Sequence, residues 1–160
     1  MVSEIMRFRI AQILLISGPL ATLAINPWTN FDPISVVKMF TVVICAFSIL
    51  GILLSGRKSL FLQQDRPIVS AVLIFLALLF STLLFSGAPF DQQFWGYFGR
   101  NTGVLTYVSF ALLLLGAITL RNIDLYAKID ISLIAVSVPV SLYCLIQISG
   151  NDPVAWSQFD

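Results

Sequence analysis

The chain contains no histidine, so the side chain that most often serves as general base, proton shuttle or metal ligand near neutral pH is missing. Chemistry that depends on histidine is excluded from these residues. Cysteine is almost as scarce: Cys45 and Cys144 lie in the middle of long apolar runs, where neither an oxidant nor a metal is at hand, and both read as small apolar packers. Charge is the third scarcity. Only 11% of the 160 residues are charged, against about a quarter in soluble domains, while 58% are hydrophobic. Such a chain cannot cover a water-facing surface. No metal, cofactor or nucleic acid is expected as a partner, and there is no internal repeat, low-complexity tract or soluble domain.

What the sequence does have is length in its apolar runs, with a mean hydropathy of +0.94. A helix needs about 20 mostly apolar residues to cross a bilayer. Five runs approach or meet that length, at about residues 10–25, 34–54, 67–85, 104–120 and 129–149. Barrel strands alternate apolar and polar residues, and these runs do not. The expected fold is therefore all-α: a single transmembrane domain, a polytopic bundle of about five helices. Pro139 predicts a kink in the last run, and small residues four apart (Ala77 and Ser81, Ser137 and Ser141) are compatible with close helix packing.

The basic residues set an orientation. Arg7, Arg9, Arg57, Lys58, Arg66, Arg121 and Lys128 fall on one set of loops, and only Lys38 and Arg100 fall on the other. Seven against two predicts a cytoplasmic N-terminus and an external C-terminus. Trp28, Trp95 and Trp156, with Phe31, Phe90, Phe94, Tyr97, Phe98 and Phe159, then lie on the outer side and form an aromatic shelf at headgroup level. The first run is the weakest, because Gly18-Pro19 interrupts it. A retained anchor is expected there rather than a cleaved signal peptide, since Asn26-Pro27 suits cleavage poorly. The Gly/Asn/Asp/Pro-rich residues 150–160 carry no basic stop signal, so the sequence reads as the N-terminal fragment of a longer polytopic protein.

Two residues stand out chemically. Lys38 lies just inside the outer end of the second run, where it is either a snorkelling anchor or a cation facing a cavity. Arg100 lies in a segment with three glycines within eight residues, Gly96, Gly99 and Gly103, which free the backbone for turns and close approach. Its planar fork suits phosphate or carboxylate. It is either a ligand-contacting arginine or an interfacial one paired to lipid phosphate or Asp91. Asp32, Asp91 and Asp152 sit in separate outer loops and make no acid/base pair.

The stretch Phe94-Trp95-Gly96-Tyr97-Phe98-Gly99-Arg100-Asn101-Thr102-Gly103-Val104-Leu105-Thr106-Tyr107 resembles the external G-x-x-x-R-x-x-G-x-L-T-Y segment of bacterial O-antigen ligase and polymerase-like proteins. Asn26-Pro27-Trp28, Phe31-Asp32-Pro33 and Lys38 resemble that family's first external loop entering a lysine-bearing helix. Leu145-Ile146-Gln147, Gly150, Asp152-Pro153 and Trp156 resemble the segment after its fifth span. The resemblance implies a glycosyltransferase of the bacterial inner membrane. Such an enzyme moves a glycan from undecaprenyl pyrophosphate to a lipid, protein or glycan acceptor on the periplasmic face, without a metal or nucleotide sugar. The family's catalytic arginine and histidine lie in a later loop, so no catalytic residue carries over and these 160 residues alone are expected to be inert. Arg100 and Lys38 are the expected substrate-binding cations. The competing expectation is a non-enzymatic membrane component, such as part of a transporter or an assembly scaffold.

Overall fold

A computed structural model describes residues 2–25, 35–56, 60–97, 100–120 and 126–151. Among them all regular structure is helical: α1 (Val2–Leu23), α2 (Ser35–Ser55), α3 (Arg66–Phe85), α4 (Phe90–Trp95), α5 (Val104–Ile118) and α6 (Tyr126–Ile148), with a 3₁₀ turn at Gln63–Asp65 before α3. Four segments are long and apolar enough to cross a membrane: Glu4–Leu23, Ser35–Ser55, Gln63–Phe85 and Lys128–Ile148. The expected fourth span, 104–120, is shorter. Its helix has 15 residues, about 22 Å at 1.5 Å per residue, against a hydrocarbon core of about 30 Å.

That short helix is the centre of the bundle. α5 packs against α1, α2, α3 and α4, and it lies between α2 and α3. Its sequence is apolar on every side, which is the pattern of a buried helix, and Val104, Ala111, Leu112 and Leu115 are all buried. Its hydroxyls are satisfied locally: Ser109 donates to the Leu105 carbonyl at 2.8 Å. Near the far end, α5 comes close to its neighbours at a glycine, where an added methyl would have to displace isoleucine side chains. A Cβ on Gly116 would lie 2.9 Å from Ile49 Cγ2, 3.1 Å from Ile49 Cδ1 and 3.3 Å from Ile10 Cγ2. Ile10 and Ile49 are themselves fully buried, in a cluster with Ala11, Leu60 and Leu120. Of the small residues spaced four apart, Ala77, Ser137 and Ser141 are exposed, and Ser81 is half-buried.

The first run, expected at 10–25 and interrupted by Gly18-Pro19, is one continuous helix. α1 runs through Pro19. Proline has no N–H, so the carbonyl four residues earlier, on Leu15, loses its usual donor. In this fold Ser132 of α6 donates its hydroxyl to that carbonyl at 2.9 Å. α6 packs on α1, through half-buried residues Ser132, Val136, Pro139 and Tyr143 spaced three or four apart. Cys45 is buried in α2 as expected, but Cys144 is exposed on α6.

At the end expected inside, Arg7 Nη2 donates to the Leu60 carbonyl at 3.3 Å. Asp65, only 1% exposed, accepts the Leu62 N–H on Oδ2 at 2.8 Å and so shapes the turn that starts α3. These contacts fix the connection from α2 to α3 against α1.

The close approach at Gly116 yields a stability prediction. Gly116→Ala lowers the unfolding midpoint in detergent, at a cost of about 1–3 kcal/mol, because a well-packed site must open. Adding Ile49→Ala removes both nearest atoms, so the double variant loses less than the sum of the two single losses. An unchanged midpoint for Gly116→Ala would contradict the packing.

Candidate functional site

The candidate site lies at the end expected outside and is built by the chain between α3 and α5. After α3 the backbone turns at Gly87, whose φ is +68°, and Pro89 opens the short α4. This helix presents Phe90 and Phe94 four residues apart, on one face. Their rings stack with centroids 5.4 Å apart and planes 13° from parallel. Phe94 meets Trp95 edge to face at 5.1 Å, and Trp95 reaches Phe40 of α2 at 6.3 Å. Four rings thus form a continuous row from α4 to α2. Offset and edge contacts of this kind are the favoured aromatic geometries.

Gly96 ends α4 with φ +91°, in the region open to glycine. From here to Gly103 the chain makes a loop whose two ends touch. A Cβ on Gly96 would lie 2.6 Å from the Gly103 nitrogen and 2.8 Å from the Asn101 carbonyl carbon. A Cβ on Gly103 would fall on the Phe94 carbonyl oxygen, the Gly96 nitrogen and the Trp95 carbonyl carbon. Side chains at 96 and 103 would force the neck apart. Inside the loop, the Arg100 and Asn101 N–H groups both donate to the Tyr97 carbonyl at 3.0 Å. Asn101 takes a φ of 48°, which asparagine tolerates better than most residues, and is 8% exposed. Its carbonyl accepts the buried Thr106 hydroxyl at 2.7 Å. Gly103 then caps α5, accepting the Thr106 N–H at 3.0 Å and the Tyr107 N–H at 3.3 Å.

Arg100 is therefore an exposed guanidinium carried on a pinched, internally bonded loop beside the aromatic row. Lys38 lies half-buried on α2, two residues before Phe40. The Phe40–Trp95 contact brings that turn of α2 alongside the end of α4 that leads into the Arg100 loop. The two expected site residues are thus linked through one ring contact, Lys38 lying two residues before Phe40 and Arg100 five residues after Trp95. Asp91 is exposed in the first turn of α4. Asp32 and Asp152, with Trp28 and Trp156, lie outside the described residues. Among the described residues no three Cys, Asp or Glu side chains gather as metal ligands would. Chemically, the arrangement suits holding an anion next to a planar or apolar surface.

An apolar groove of about 370 Å³ runs between the first half of α3 and α5, with Phe75 and Tyr107 together at one end and Ile68 and Leu114 also lining it. Sequence reading marked the glycines for close approach, but not that Gly96 and Gly103 approach each other. The roles of Asn101 and Thr106 also went unread, for their bond spans five residues of irregular chain. Comparison with protein families, with curated proteins and with solved structures finds no match to this chain.

The neck gives a direct test. Gly96→Ala and Gly103→Ala should each raise the rate of limited tryptic cleavage after Arg100 by about tenfold or more, since strain of about 1–3 kcal/mol is relieved by opening the loop. Gly51→Ala, where a Cβ meets nothing within 4 Å, is the matched control and should leave the rate alone. Equal cleavage in all three would show that the loop is not closed at its neck.

Proposed function

We propose that this chain is the membrane portion of a metal-independent glycan ligase or polymerase of the bacterial inner membrane, crossing it several times. Its N-terminus is cytoplasmic, and it binds a lipid-linked oligosaccharide at the periplasmic face. The observation that best supports this reading is the Arg100 loop: an exposed arginine on a braced backbone whose neck directly follows a row of aromatic rings. A pyrophosphate leaving group gains charge as its bond to the sugar breaks, so a preorganised cation favours the transition state over the ground state. The half-buried Lys38 on α2, two residues before Phe40, supplies a second positive charge. Aromatic faces suit sugar rings, and the groove between α3 and α5 offers an apolar seat for a hydrocarbon chain.

A non-enzymatic role is the second reading. It is favoured by the packing of two proline-bearing helices, α1 and α6, against each other, since a proline inside a helix leaves a backbone carbonyl without its donor. A transfer assay separates the two readings.

In the full-length protein, Arg100→Ala should cut glycan transfer about ten- to a hundredfold at matched membrane abundance. Losing one charge-assisted hydrogen bond is worth roughly 1.5–3 kcal/mol. Arg100→Lys keeps the charge but not the fork and should fall between, while Lys38→Ala should cost less than Arg100→Ala. If Arg100→Ala and Arg100→Lys both match the parent, the reading fails and Arg100 is an interfacial anchor.

A further inference from the structure

The helices of this chain carry many hydroxyls, and most bond within their own helix. Ser17 donates to Leu14, Thr22 to Gly18, Thr41 to Val37, Ser48 to Ile44 and Ser137 to Ile134. Ser132 departs from this habit. Its hydroxyl crosses to α1 and meets the Leu15 carbonyl, 117 residues away in sequence, at 2.9 Å. That carbonyl is the one whose normal donor is removed by Pro19, four residues on.

The attachment of α6 to the rest of the bundle makes this bond consequential. α6 packs on α1, and none of its 18-residue apolar window is buried. Its contact face has a second proline, the half-buried Pro139. In hydrocarbon surroundings no hydrophobic force presses one apolar helix onto another, so packing and interhelical hydrogen bonds carry the association. At Gly18, next to Pro19, an added Cβ would meet nothing within 4 Å. The core of α2, α3 and α5, by contrast, is held by buried residues on several helices.

We propose that Ser132 is a latch. It holds α6 onto the α1 carbonyl that Pro19 leaves without a donor, and its release lets α6 move as a unit while α2, α3 and α5 stay assembled. The bond is made where α1 lacks an internal donor, so the latch exists because of Pro19. Restoring an N–H at position 19 makes Ser132 redundant.

The test uses the full chain in lipid nanodiscs, with Cys45 and Cys144 replaced by alanine and spin labels at Leu23 and Ile148, near the far ends of α1 and α6. Distance distributions are compared for the parent, Ser132→Ala, Pro19→Ala and the double variant. Ser132→Ala should raise the population of separated α1–α6 distances by about three- to twentyfold, the range expected for one interhelical hydrogen bond in a membrane. In the Pro19→Ala background the same change should leave the distribution where Pro19→Ala alone puts it. An unaltered distribution for Ser132→Ala overturns the latch. So does equal broadening in both backgrounds, which would make Ser132 a packing residue.

Discussion

A single missing side chain, at Gly116, permits the approach on which this bundle depends. The last turns of α5 press against Ile49 and Ile10 at distances where a methyl group would have to push their side chains aside. The contact draws a helix too short to cross a bilayer unaided into the space among α1, α2 and α3. The opposite end of α5 carries the Gly103 cap, and through it the pinched Arg100 loop. Packing at one end of the helix thereby positions the chemistry at the other. The link is rigid in the ordinary sense of a hydrogen-bonded helix, and it explains how an exposed loop acquires a defined place.

The second constraint is the fate of backbone polar groups where water is scarce. Each unsatisfied carbonyl in hydrocarbon is costly, so breaks in a helix need a substitute donor. The chain answers this in two ways. Serine and threonine hydroxyls bond to carbonyls three or four residues back on their own helix, while Ser132 serves the carbonyl stripped by Pro19 on another. At the neck of the Arg100 loop the same rule holds outside a helix, where Thr106 satisfies the Asn101 carbonyl. Polar side chains here are largely spent on the backbone. The exposed Arg100 and the half-buried Lys38 stand apart from that pattern.

Different parts of the fold were legible to different degrees. The second and third runs, expected at 34–54 and 67–85, are α2 (Ser35–Ser55) and α3 (Arg66–Phe85), because long uninterrupted apolar runs leave few other options. The first was expected at 10–25, but α1 begins at Val2, since Glu4, Arg7 and Arg9 end the apolar run without ending the helix. The donor that serves the Leu15 carbonyl in front of Pro19 lies 117 residues away, beyond any local pattern. The helix expected to 120 stops at Ile118: Thr119 and Leu120 tighten into three-residue bonds to Gly116 and Ala117. In the site, the residue types pointed to Arg100, Lys38 and the glycines. The short helix α4 was hidden inside an expected loop at 86–103, and Pro89 at its start was the available signal. The meeting of Gly96 with Gly103 is a tertiary fact.

The account rests most on the claim that the Arg100 loop and the Arg7–Leu60 connection lie on opposite sides of a membrane, with the former outside. The direct measurement is labelling by a membrane-impermeant maleimide in intact cells, on chains with Cys45 and Cys144 replaced and one new cysteine introduced by Gln92→Cys or Ser59→Cys. The seven-to-two bias of basic residues predicts that Gln92→Cys is labelled at once and Ser59→Cys only after the membrane is permeabilised. Labelling of Ser59→Cys in intact cells, with Gln92→Cys protected, would place Arg100 in the cytoplasm and contradict the account.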